Sequence, residues 1–206
     1  MTQGSAYLDN IYSVARGDEM RRYYDDWADS YDSDLEQNDY RTPARCAQAL
    51  ARFVPDRSAP VLDFACGTGI SGEAMAEAGF TVIDGTDISD GMLHKARSKG
   101  VYRELWLCDA DRPLDLGGRD YAAIVAVGAI GAGAAPVENI DAAIAGLARG
   151  GVFIVSLNDH TLQDPDYEAR INAAAKDGRI EILQAEDGPH LPSIGLNARV
   201  YAVRKL

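Results

Sequence analysis

The sequence predicts an α/β fold: a doubly wound, Rossmann-like sheet of seven strands, mostly parallel, with an antiparallel C-terminal hairpin and helices ahead of the sheet. Three observations predict it. Short apolar runs alternate with helical patterns from residue 61 to 155, which implies parallel strands joined by right-handed helical crossovers. The first of these runs ends in a glycine-rich turn. The last two strand-like runs are joined by a connection too short for a crossover.

The first strand covers Val61–Phe64 and runs into Ala65-Cys66-Gly67-Thr68-Gly69; residues 73–78 then read as a helix that Gly79 closes. Residues 81–83 are the second strand, and a helix over 89–97 follows, with Ser89 or Asp90 at its start and Gly100 as its stop. Residues 105–107 form the third strand. The fourth covers 122–127, where a near-continuous apolar run marks a central parallel position. Residues 140–148 are helical, Gly150-Gly151 turn the chain, and 152–155 form the fifth strand. A helix over 165–176 leads to two alternating runs, 179–183 and 198–203, joined by a loop over 186–197 that favours an antiparallel pair at one edge. Upstream, Tyr24, Trp27, Tyr31 and Leu35 share one face of a helix, with Asp25, Asp26, Asp29, Asp32 and Asp34 read as its solvated side. One domain is expected over residues 1–206, with 1–57 as a helical cap and 58–206 as the core.

Charge narrows the function. Lys and Arg number 20 against 32 Asp and Glu, a net charge of −12, and no basic cluster is present. Holding nucleic acid by its backbone requires such a cluster, so a small-molecule partner is expected. Cys46, Cys66 and Cys108 are too few and too irregularly spaced for a disulfide framework or a metal knuckle, and they suit a reducing compartment. Residues 1–17 lack the pattern of a secretory signal, and cytoplasm is the expected location. Residues 121–137 carry no charge, but Gly128, Gly131, Gly133 and Pro136 mark them as a buried strand running into a small-residue loop, not a membrane span. Monomer and homodimer are left equally open.

The sharpest motif is the turn after the first strand. Glycines there let main chain approach a ligand where side chains would occupy its space. Gly67-x-Gly69-x-x-Gly72, with Asp87 twenty residues beyond Gly67, also satisfies the dinucleotide fingerprint. Three features favour S-adenosylmethionine instead. Asp63 stands four residues before Gly67, where it repels a diphosphate but accepts hydrogen bonds, directly or through water, from an ammonium. Asp109 follows the third strand, where an acceptor meets the exocyclic amine of an adenine. With Asp87, three acids then close three successive strands along one edge.

These residues resemble the class I S-adenosylmethionine-dependent methyltransferases, and in particular small methyltransferase-like proteins whose N-terminal helix reads Tyr-Asp-x-Trp-Ala-x-x-Tyr-Asp. The matching residues are 24–32, 63–69, Gly85-Thr86-Asp87-Ile88-Ser89 with Met92-Leu93, Asp109-Ala110, 121–125 and Gly150-Gly151. The resemblance implies that Asp87 binds the ribose hydroxyls, that Ile88 and Met92 pack on the adenine, and that Asp109 and Ala110 meet its edge. It places Asp63, Ala65, Gly67 and Gly69 around the methionine portion and Tyr31 over the cofactor, with Thr68 and Val127 completing the expected contacts. No metal is implied.

One departure bears on mechanism. Relatives often carry a polar stretch such as Thr-His-Gly after the fourth strand, where this chain reads Val127-Gly128-Ala129-Ile130-Gly131-Ala132-Gly133, with no acid or base. Methyl transfer from a sulfonium needs alignment in a dry pocket more than it needs proton transfer, so a catalytic residue need not exist. If a base is used, His160 beyond the fifth strand is the candidate; His190, in the expected loop, and Tyr24 are weaker ones, and His94 reads as a solvated face residue. Cys66 reads as a small filler. The expected activity is methyl transfer to a small molecule. A cofactor-binding protein without turnover and a nicotinamide-dependent oxidoreductase are the alternatives.

Overall fold

The computed structural model describes residues 5–15 and 17–206, with Ser5, Ala6 and Asp9 described by their backbone alone; the expectation about residues 1–17 falls in part outside these. Seven strands, β1 (Val61–Phe64), β2 (Ile83–Asp87), β3 (Glu104–Leu107), β4 (Ala123–Ala126), β5 (Val152–Asn158), β6 (Ile180–Leu191) and β7 (Leu196–Lys205), form one sheet in the order β3-β2-β1-β4-β5-β7-β6. The first five are parallel, and β7 runs antiparallel to both β5 and β6. Connections change direction at β1 and β4, so a crevice opens beyond the carboxyl ends of these two strands.

Alternate strand residues point to opposite faces, and both faces are covered. Leu62, Phe64, Ile124, Phe153 and Val155 pack beneath α7 (Glu138–Gly146) and α8 (Pro165–Lys176). Val61, Ile83, Val125, Val152 and Ile154 pack beneath α4 (Thr42–Phe53) and α5 (Ile70–Glu77), so α4 belongs to the layer over the sheet. α6 (Asp90–Lys99) follows β2, while α1 (Ser5–Asn10), α2 (Asp18–Trp27) and α3 (Tyr31–Gln37) precede α4. Among the described residues no helix is long and apolar enough to cross a membrane.

Three expected elements differ. The second strand lies at Ile83–Asp87, not at 81–83, and every residue of it is buried despite its polarity. Asp84 is satisfied there by Arg103 Nε at 2.9 Å and by the Tyr121 hydroxyl at 2.8 Å. The expected loop over 186–197 is mostly strand: β6 continues to Leu191 and β7 begins at Leu196, around a short turn at Pro192–Ile194. The expected aromatic helix is two helices, broken at residues 28–30.

Its acidic side is not simply solvated either. Asp34 is buried and accepts the Trp27 indole N–H at 2.7 Å. Asp25 accepts the Ser89 hydroxyl at 2.6 Å and the Gly91 N–H at 3.1 Å, which seats α2 on the amino end of α6.

Candidate active site

A cavity of about 400 Å³ lies over the switch-point crevice and along the carboxyl ends of β2 and β3. That is the size range of small-molecule and cofactor sites. Its wall at β1 is the predicted turn. Ala65, Gly67 and Gly69 all have positive φ, at +54°, +55° and +94°, and the Cys66 N–H bonds the Thr86 carbonyl at 2.9 Å, fixing the turn to β2. At the position a Gly67 Cβ would take, only the edge of the Tyr31 ring comes within reach, at 4.0 Å, so bare main chain faces open space.

Asp87 ends β2 at the cavity wall. Its Oδ2 accepts the Gly67 N–H and its Oδ1 the Ser89 N–H, each at 2.9 Å. Burial pushes this carboxyl up to about 6, against the lowering effect of those N–H donors. Each oxygen keeps a second lone pair for a hydroxyl donor. Ile88, Ala110 and Val127 add apolar wall. Asp109, also in the lining, pairs with Arg112 at 3.3 Å and accepts the Asp111 N–H.

Four expected residues lie behind the lining. Asp63 is fully buried: its Oδ2 accepts the Ser71 and Tyr102 hydroxyls, each at 2.7 Å, while Oδ1 has no partner. Burial raises its carboxyl to about 7. Thr68 turns its hydroxyl to Asp32, away from the cavity. The space beside Gly69 is taken by Tyr102, the α6 backbone at Ala96, and Lys99. Met92 is buried under the start of α6, where its N–H bonds the Ser89 side chain.

None of the three histidines lines the cavity. His160 is exposed and packs on Tyr12, with ring centroids 4.3 Å apart. His190 lies in β6, not in a loop, with Nδ1 2.7 Å from the Thr42 hydroxyl; burial lowers it to about 4, so it stays neutral. His94 is exposed on α6. Burial pushes the Cys66 thiol up, as befits a filler.

Other lining residues had no sequence signal as site residues. Phe64, Trp106, Leu114 and Asn139 extend the cavity beyond Asp109 toward α7. Tyr40 sits just behind the wall, with its hydroxyl 3.1 Å from where a Gly128 Cβ would be. Gly128 itself, at φ +62°, is a lining residue.

Residues fitted to S-adenosylmethionine are thus present: an open main-chain turn, a carboxylate with lone pairs to spare, flat apolar walls, and a buried orphan oxygen behind the turn. Residues 38–191 match the methyltransferase domain family. The chain belongs to that family, and its fold is that of the class I, S-adenosylmethionine-dependent methyltransferases.

Among individual proteins, methyltransferase-like protein 27 of Homo sapiens is 36% identical over 121 residues, which are 57% of this chain and 49% of that protein. The chain therefore spans about half the length of that relative. The fold is shared with the N-terminal domain of EvdMO1, solved in the presence of SAH and D-fucose, at a TM-score of 0.55 and 17% identity over 82% of this chain and 84% of that one. An S-adenosylmethionine-dependent methyltransferase from Mesorhizobium loti superposes at 0.55 with 19% identity, over 77% and 96%. The [4+2]-cyclase SpnF does so at 0.56 with 17% identity, over 79% and 81%.

Proposed function

We propose that this chain, read as one domain, transfers the methyl group of S-adenosylmethionine to a small-molecule acceptor within the cavity. The observation that carries the reading is Asp87, held by two backbone N–H groups at the wall of an open glycine turn. In this reading Asp87 binds the ribose hydroxyls, Ile88, Ala110 and Val127 flank the adenine, and Asp109 accepts from its amine. Ala65 and Gly67 pass beside the methionine portion under Tyr31. Asp63 acts from behind the turn, its free oxygen reached through water. Thr68, Gly69 and Met92 support the turn and α6 without contact.

When bound, the cofactor supplies a methyl group already activated by the sulfonium charge. The chain's part is to exclude water and align the acceptor, and no acid or base stands in the stretch from Val127 to Gly133. His160, outside the lining, is not assigned the proton. The net charge of −12 and the absence of a basic cluster favour a small acceptor over nucleic acid, and the cysteine pattern favours the cytoplasm.

Calorimetry of the full chain with S-adenosylmethionine, S-adenosylhomocysteine, NAD and NADP tests the reading. Binding of the sulfur compounds alone is expected, and heat from the dinucleotides alone would overturn it. Label from a methyl-labelled donor is then expected in a component of a metabolite extract. The same glycine-rich stretch supports a second reading, binding without turnover, which persistent silence across extracts would favour.

A further inference from the structure

Four tyrosines gather beyond the carboxyl ends of the central strands: Tyr24 and Tyr31 line the cavity, and Tyr12 and Tyr40 stand beside them outside its lining. The Tyr31 ring edge lies over Gly67 after β1, and the Tyr40 hydroxyl points to Gly128 after β4. The Tyr24 hydroxyl donates to the Gly133 carbonyl at 3.2 Å. Tyr12 accepts from the Asn158 side-chain amide, at the end of β5, at 3.4 Å. The four come from separate parts of the N-terminal segment: Tyr12 precedes α2, Tyr24 is on α2, Tyr31 opens α3, and Tyr40 follows α3.

The cations that line the cavity stand apart from them. The cationic lining residues, Arg112 and Arg119, stand beyond the adenine end: Arg112 pairs with Asp109, and Arg119 lies 4.5 Å over the Trp106 ring. Near the tyrosines stand Asp87, Asp32 and, behind the turn, Asp63, while the neutral His190 ring packs T-shaped against Tyr40 at 5.1 Å. Burial raises all four phenols above their ordinary value, so at neutral pH they keep their protons. Their rings are electron-rich and their hydroxyls neutral, and they supply no base.

We infer that the acceptor is an amine, whose nitrogen is methylated among the faces of Tyr12, Tyr24, Tyr31 and Tyr40. This rests on the methyl-transfer reading above. A carboxylate or phosphate acceptor would meet no cationic lining residue there, since Arg41 and Lys99 are paired with Asp39 and Asp32 and Arg45 is engaged with the β6–β7 carbonyls, and a hydroxyl would need a base to take its proton. An amine nitrogen attacks with its own lone pair: the N–CH₃ bond forms as the S–CH₃ bond breaks, and sulfur departs as a neutral thioether. The positive charge moves from sulfur to nitrogen. An aliphatic amine arrives as its ammonium and first gives a proton to water, which frees the lone pair; a tertiary amine then becomes a quaternary ammonium with no further proton to lose, and a less substituted amine gives a second proton to water afterwards. Tyrosine faces attract that charge throughout, as aromatic cages hold quaternary ammonium groups.

The test uses the full chain saturated with S-adenosylhomocysteine, whose binding is measured first. Failure at that step overturns the methyl-transfer reading itself. Choline and its uncharged isostere 3,3-dimethylbutan-1-ol are then titrated separately, with tyrosine ring chemical shifts as the readout. Choline is expected to bind about tenfold more tightly than the alcohol, as a desolvated cation–π contact predicts. Tyr40→Leu and the half-exposed Tyr12→Leu should each weaken choline severalfold, with S-adenosylhomocysteine affinity showing that the variants are folded. Undetectable choline binding, equal or tighter binding of the alcohol, or choline affinity unchanged in both variants overturns the proposal while the methyl-transfer reading stands.

Discussion

Asp87 is aimed before any ligand arrives, because two main-chain N–H groups fix its carboxylate at the cavity wall. Asp87→Ala should weaken S-adenosylhomocysteine by about 1–3 kcal/mol, the value of charge-assisted hydrogen bonds to hydroxyls, as read by calorimetry. Hydroxyl donors favour the ionised form, and burial has raised this group to about 6. Affinity should therefore rise between about pH 5 and pH 7, and Asp87→Asn should flatten that slope. Asp63 acts on folding. Its native value near 7 lies above the ordinary 3.8, so the folded chain keeps a proton that the unfolded chain releases. The resulting destabilisation is absent below about pH 4 and complete above about pH 7; Asp63→Asn should flatten the fall in stability across that window in denaturant titrations. Asp87 was legible because its spacing from Gly67 carries a chemical meaning. Tyr40 was not, because its role comes from the turn after α3 and from a glycine 88 residues away in sequence, at Gly128.

Among the elements, α6 shows how local signals and packing join. Ser89 caps it by accepting the Met92 N–H at 3.0 Å while donating to Asp25 on α2. Ser89→Ala should cost about 0.5–2 kcal/mol by thermal or chemical denaturation, at the upper end because the α2 contact goes with the cap. The third glycine of the fingerprint answers to a packing demand. A Gly72 Cβ would lie 2.3 Å from the Tyr102 hydroxyl, which is tied to Asp63, so Gly72→Ala should destabilise by about 1–3 kcal/mol. Elements with a plain apolar period, such as β1, β4 and α8, were readable at or near their ends. β2 was misplaced because its polar residues are buried with partners remote in sequence, and β6 was cut short because Glu186, Asp187, Gly188 and Pro189 look like a loop. The aromatic stripe from Tyr24 to Leu35 kept its inward direction across a break that its spacing did not announce.

For the molecule as a whole, the doubly wound order and the antiparallel edge predicted from the alternation of runs are those found in the sheet. What periodicity did not carry was the placement of the N-terminal helices: α4 is a layer over the sheet, while α2 and α3 close over the crevice. A ligand held between these parts ties them together. At a hundredfold excess over its dissociation constant, S-adenosylhomocysteine should add about 2.7 kcal/mol and raise the thermal midpoint by about 5–10 °C. Hydrogen exchange should slow in α2 and α3 as well as in the glycine turn; protection confined to the turn would show that the helices take no part in holding the ligand.

The Arg45 guanidinium, on α4, donates to the carbonyls of Glu186, Pro189 and Ala198 at 2.8, 3.3 and 2.9 Å, and His190 meets Thr42 at the start of the same helix. An earlier part of the fold is thereby fastened by strands 141 to 153 residues further along the chain. During synthesis, α4 and the glycine turn would emerge from the ribosome well before the carbonyls that anchor α4, so a nascent chain has its cofactor turn before this helical layer over the sheet is secured.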